Sequence, residues 1–178
     1  MFYTTLNEIR EYGPSTQDWQ RLLKYLGKMK ADDEPLSFKT ILDSNGLDTA
    51  IWALRTIKAP EVRLFAVRCI RQVPSLLFNE LSLNALDIVE AYAIGEVTDE
   101  ELIIVYAKLL KAEEIVRWYN YDTKYTYGLV EVMAAIREAI KGDACSSAHK
   151  VAYTLMKDWD DARLGQKEDF IAIFCSED

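Results

Sequence analysis

A chain of 178 residues, 50% hydrophobic and 28% charged, has the composition of a globular protein long enough to bury a core within one domain. Its 29 acidic and 21 basic residues give a net charge of −8, which argues against gripping a phosphate backbone, a task that needs clustered Lys and Arg. Seven Gly and four Pro imply long elements with short joins, and no run approaches the ~20 apolar residues that span a bilayer.

Thr5 with Glu8 has the spacing of a capping box, and Gly13-Pro14 ends the short helix it opens. Ser15 with Asp18 opens a second helix, on which Trp19, Leu22, Leu23 and Leu26 share a face; Gly27 fits its left-handed stop. Lys28 to Glu34 is a polar connection, and Pro35 is expected just inside the next helix start, where no N–H is needed. That helix carries Leu36, Phe38, Ile41 and Leu42 and turns at Asn45-Gly46. Asp48 is expected to cap the following one, with Ile51, Trp52 and Leu54 set among Ala50 and Ala53.

Ala59-Pro60-Glu61 opens a helix with Val62, Phe65, Cys69, Ile70 and Val73 inside and Arg63, Arg68 and Arg71 outside. After an ambiguous Leu76 to Leu81, a helix built on Leu83, Leu86, Ile88 and Val89 closes at Gly95. Thr98 with Glu101 is another capping box, followed by Leu102, Val105, Tyr106, Leu109 and Leu110 and a helix running to Trp118. Its apolar tract, Leu102 to Leu110 with Lys108 inside it, reads as a buried helix. Trp118 to Tyr127 breaks the pattern, with a faint strand alternation at Tyr119 to Tyr127. Gly128 to Ile140 is helical again, Asp143 caps a last helical region through Trp159, and Phe170, Ile171, Ile173 and Phe174 extend the apolar stripe. The expected fold is all-α: an array of short antiparallel helices, either a bundle or a solenoid-like stack of helix pairs.

The chemistry-bearing residues are sparse. His149 is the lone histidine, so triads and multi-histidine metal sites lack their parts; Cys145 shares its helix face with no third group to orient the pair. Cys69, Cys145 and Cys175 have no CxxC spacing, and without a signal peptide they fit a reducing cytoplasm. The adjacent carboxylates Asp32, Asp33 and Glu34 point apart and lack a calcium-loop glycine, so they read as solvated charge and not as a metal site. No phosphate loop, dinucleotide fingerprint, nucleophile elbow or HExxH pair occurs, and the expectation is a non-enzyme without cofactor or metal. The best binding candidate is the aromatic segment with Trp118, Tyr119, Tyr121, Tyr125 and Tyr127, whose rings resemble interface anchors; the competing reading is that they cover a join in the core. Asp32, Asp33 and Glu34 join it as an exposed acidic patch for a partner.

The run LGKMKADDEPLSFKTILDSNGLDTAIWALR at residues 26–55, with Glu61 to Ala66, Ala91 to Leu102 and Gln166 to Ile171, resembles a bacteriophage and prophage family of immunity-like proteins. The resemblance covers residues 1–105 and the tail, and divides a single all-α domain over 1–178 into a family-like scaffold and a divergent half, 106–178. From Ile103 to Leu164 aromatics and larger aliphatics replace the family's Ala-rich helices. The resemblance implies a protein that binds and neutralises another protein. The expected function is therefore a phage-encoded inhibitor of a bacterial defence protein or toxin, anti-CRISPR-like or imitating nucleic acid toward a basic partner in the host cytoplasm. The alternative is a phage structural or assembly protein acting as a homo-oligomer.

Overall fold

The computed structural model describes residues 1–74, 77, 79–119, 124–154 and 159–176; of residues 119, 124–127, 152–154 and 159–161 it describes the backbone alone. The described residues form ten α-helices and one two-stranded ladder and are mostly helical, so the fold is all-α. The chain divides into two compact units, residues 1–58 with 167–178, and residues 59–166. The sequence boundary at residue 105 falls inside a helix of the second unit.

The first unit holds β1 (Tyr3–Thr4), α1 (Leu6–Glu11), α2 (Thr16–Leu26), β2 (Leu36–Ser37), α3 (Phe38–Asn45) and α4 (Leu47–Ala53), followed by a 3-10 turn, Leu54–Thr56. Thr5 and Glu8 form the capping box, Ser15 caps α2, and Gly27 stops α2 at φ 66°, a left-handed conformation that costs glycine nothing. Pro35 does not open a helix. Leu36 and Ser37 pair antiparallel with Thr4 and Tyr3, and the Ser37 hydroxyl then caps α3 by accepting from the Thr40 N–H at 3.1 Å. Such a short ladder is set by long-range pairing and leaves no alternation to read. Nor does Asp48 cap α4: Gly46 at φ 86° holds that position, and Asp48 sits in the first turn, where a negative charge favours the helix dipole.

The core of this unit is aromatic. Helix α10 (Trp159–Phe170) runs into a π-helical turn, Ile171–Cys175, that returns Phe170 and Phe174 to fully buried Phe38. Ring centroids lie 6.3 Å (Phe38–Phe170), 6.0 Å (Phe38–Phe174) and 5.1 Å (Phe170–Phe174) apart, within range for favourable tilted and edge contacts. Phe2 adds an edge-on contact to Phe174 at 5.4 Å, and its N–H donates to the Phe174 carbonyl at 3.1 Å.

The second unit contains α5 (Pro60–Arg71), α6 (Glu80–Ala93), α7 (Asp99–Tyr119), α8 (Lys124–Lys141), α9 (Ala144–Thr154) and the start of α10. Each helix from α5 to α9 packs on the next, and α9 returns to pack on α5, which also touches α8. That closure makes this unit a bundle instead of an open stack. Val62, Phe65, Cys69, Ile70 and Val73 are buried as their spacing predicts. Arg68 and Arg71 face solvent, but Arg63 is half-buried, its guanidinium 5.1 Å over the Tyr92 ring. On α6 the inward positions are Ser82, Ala85, Leu86 and Val89, while Leu83 is 41% exposed, contrary to expectation.

The segment at Trp118 also departs from expectation. Helix α7 continues to Tyr119 and α8 begins at Lys124, so Tyr125 and Tyr127 lie in a helical turn, not in an alternating strand. A single helix period resumes four residues earlier than the apolar residues signal, because the first turn of α8 is polar and aromatic.

Candidate interaction surface

The acidic loop is built from both sides. Lys28, just after α2, reaches Asp32 at 2.6 Å and Glu34 at 2.7 Å, closing the connection on itself. The Asn7 side chain on α1 donates to Asp33 at 2.8 Å, and the Asn7 N–H donates to the Asp32 carbonyl at 3.1 Å. The Asp32 carboxylate also accepts from the Glu34 N–H at 3.2 Å. Hydrogen bonding to Lys28 holds the Asp32 carboxyl below its ordinary range, and bonding to Asp32 and Glu34 raises Lys28. Asp32 and Glu34 thus converge on the Lys28 ammonium, whereas Asp33 is directed to the Asn7 amide. Asp33 and Glu34 remain exposed, and Lys28 offsets one of the three negative charges. Beside the loop, a cleft of about 430 Å³ is lined by residues including Tyr3, Leu6, Lys28, Glu34, Ser37 and Thr40.

The second candidate is α7. Its inward face is Leu102, Val105, Leu109 and Glu113, all less than 9% exposed. Glu113 is held by Arg117 (2.9 Å) from its own helix and by Arg137 (2.8 Å) from α8, with the Arg137 guanidinium 6.0 Å over Tyr106. This charge cluster bridges α7 and α8.

The outward face of the same helix is not polar. Ile103 is 65% exposed, Ile104 52%, Ile115 49% and Trp118 86%. The apolar tract beginning at Leu102 is thus only half buried, which corrects its reading as a buried helix. At 100° per residue, Ile104, Ala107, Lys111, Ile115 and Trp118 form one stripe opposite the buried face. The stripe is apolar toward both ends and is crossed by exposed Lys111 at its middle.

Trp118 is therefore a surface ring and not part of the core. Tyr121 lies outside the described residues, and the side chains of Tyr119, Tyr125 and Tyr127 lie outside the described atoms, so the aromatic segment is placed only at its first member. The acidic loop belongs to the first unit and Trp118 to the second. The composition-based reading did not single out Ile103, Ile104 and Ile115, although the signal was present: apolar residues on α7 occupy more of the helix than one face can bury. His149 is exposed, four residues from half-buried Cys145 on α9. Among the described residues no helix is long and apolar enough to cross a membrane, and no group of three or more His, Cys, Asp or Glu is placed to hold a metal ion.

Compared with models of protein families, with curated proteins and with solved structures, the chain matches none of them.

Proposed function

We propose that this protein is a non-enzymatic interaction protein that binds and inhibits a bacterial protein, acting in the cytoplasm of a phage host. The observation that carries the reading is Trp118, 86% exposed at the end of α7 and continuous with the apolar stripe of that helix. An exposed Trp flanked by aliphatics is the side-chain type that dominates binding energy when a partner covers it. The net charge of −8 favours a target with a basic surface, such as a nuclease of a defence system or a toxin, and steers its approach. The resemblance to immunity-like proteins supports the same reading.

The test is capture of a target from host lysate on immobilised wild-type and Trp118→Ala protein. The wild type should retain a partner that elutes with rising salt. Trp118→Ala should lose it while keeping its helical circular dichroism and its stability within about 0.5 kcal/mol, as expected for an exposed site. Equal retention by both proteins, or unfolding of the variant, would overturn the assignment. A second reading, assembly through contacts between copies, is favoured by the length of the stripe on α7.

A further inference from the structure

We infer that the π-helical turn Ile171–Cys175 is a latch on the acidic loop: Asp32 to Glu34 keep their closed arrangement only while Phe174 is seated against Phe2 and Phe38. All of these residues belong to the first unit. The inference goes beyond the inhibitor reading and does not rest on it.

The connection runs bond by bond. The Phe174 carbonyl accepts from the Phe2 N–H at 3.1 Å, and the Phe2 carbonyl accepts from the Phe38 N–H at 3.3 Å. Phe2 is thus bonded to the turn through its N–H and to the start of α3 through its carbonyl, immediately before β1. Tyr3 and Thr4 then pair with Ser37 and Leu36. Just past β1, the Asn7 N–H and side chain hold the Asp32 carbonyl at 3.1 Å and the Asp33 carboxylate at 2.8 Å. On the other side only Pro35 separates Glu34 from β2. The loop is therefore fixed at both ends by segments that β1 joins, and β1 begins beside Phe174.

Without the turn these attachments are weak. A two-stranded ladder is marginal by itself, and this one has two residues in each strand. The Lys28 pairs with Asp32 and Glu34 are open to solvent, the Glu34 side chain 75% exposed, and such pairs contribute little. Phe174, in contrast, is fully buried and touches the rings of Phe2, Phe38 and Phe170. The strong end of the connection is thus the end away from the loop. A π-helical turn is rare and recurs at functional sites. This one brings Phe170 and Phe174 to the same Phe38 ring, so it is held by what it touches, and its release opens β1 and the loop together.

Native-state hydrogen exchange on the full chain, with Phe174→Leu beside the wild type, tests the latch. Phe174→Leu keeps an apolar side chain at the position and weakens the seat without emptying it. The Phe2, Phe38 and Asn7 amides should lose protection by a common factor of about tenfold. The Ser147 amide, bonded to the Asp143 carbonyl in the second unit at 3.1 Å, should keep its own. The Cys175 thiol, 5% exposed, should react about tenfold faster with N-ethylmaleimide, while the fully buried Cys69 thiol of the second unit reacts at an unchanged rate. In the wild type alone, Cys175 labelling and Asn7 exchange should rise together as urea is added below the unfolding transition. Separate rises, or an Asn7 amide that Phe174→Leu leaves as protected as before, would overturn the proposal. So would equal losses at Ser147 and Cys69, because the loop would then open only when the whole chain unfolds. None of these outcomes depends on finding a target, so failure of the latch is distinguishable from failure of the inhibitor reading.

Discussion

Replacing Glu113 by Gln should destabilise the second unit more than any other single charge change on α7. Glu113 is 7% exposed. One oxygen accepts from Arg117 Nε and Nη2 at 3.2 and 2.9 Å, and the other lies 2.9 Å from Arg137 Nε and 2.8 Å from Nη2. The second contact is a two-point grip on a guanidinium whose side chain is only 17% exposed. The amide of Gln keeps the shape and one acceptor oxygen but removes the charge, leaving a part-buried Arg137 without a counter-ion. Stranding one partner of a buried pair in this way costs about 3–5 kcal/mol. Arg117 is 44% exposed, so Arg117→Ala should cost under about 1 kcal/mol, as surface pairs do. Urea unfolding followed by circular dichroism measures both. With a slope of about 1–3 kcal/mol per molar, Glu113→Gln should lower the midpoint by more than about 1 M. If Arg117→Ala costs as much as Glu113→Gln, or if Glu113→Gln leaves the midpoint unchanged, the α7–α8 pairing does not depend on that buried charge.

Phe174→Ala removes a fully buried ring that touches Phe2, Phe38 and Phe170, and should cost about 3–5 kcal/mol in the same assay. Gly27→Ala should cost about 1 kcal/mol from backbone strain alone, because φ is 66° and no atom lies within 4 Å of the added methyl group; thermal unfolding reads it. The acidic loop should respond to pH at both ends. Asp32 has a folded pKa below its reference of 3.8, so its stabilisation is present above that value and is lost as pH falls through the folded pKa. Lys28 is raised above 10.5, so its contribution is present below that value and is lost as pH rises through the folded pKa. Lys28→Met should move the Asp32 carboxyl titration upward toward its ordinary range, read by carbon NMR; an unchanged titration would show that Lys28 does not hold it.

Local chemistry was legible wherever a few neighbouring residues decide the outcome. The Thr5, Ser15, Thr98 and Asp143 caps stand where side-chain spacing places them, because each satisfies backbone N–H groups only three residues away. Gly27 stops α2 for an equally local reason. Helical periodicity likewise identified the inward face of α5. The acidic loop was recognisable as charge, but not as a closed cluster: its partners are Lys28 and Asn7, and the Asn7 contact joins residues 26 positions apart.

Tertiary structure decided the rest, through contacts between residues distant in sequence. Pro35 reads as a helix start until Leu36 and Ser37 find Thr4 and Tyr3, which moves the start of α3 to Phe38. Leu83 is exposed and Ser82 buried because packing of α6 against α5 and α7, and not hydropathy, selects the inward face. The same holds for α7. Periodicity says that this helix is apolar on more than one face, but only the placement of its neighbours shows which residues remain uncovered. Leu102, Val105 and Leu109 are claimed by the bundle, whereas Ile103, Ile104, Ile115 and Trp118 are left to water. The sequence by itself determined that the chain would be helical, acidic and poor in catalytic side chains. Which apolar surface is left uncovered follows from how finite helices cover one another, and only the folded chain decides that.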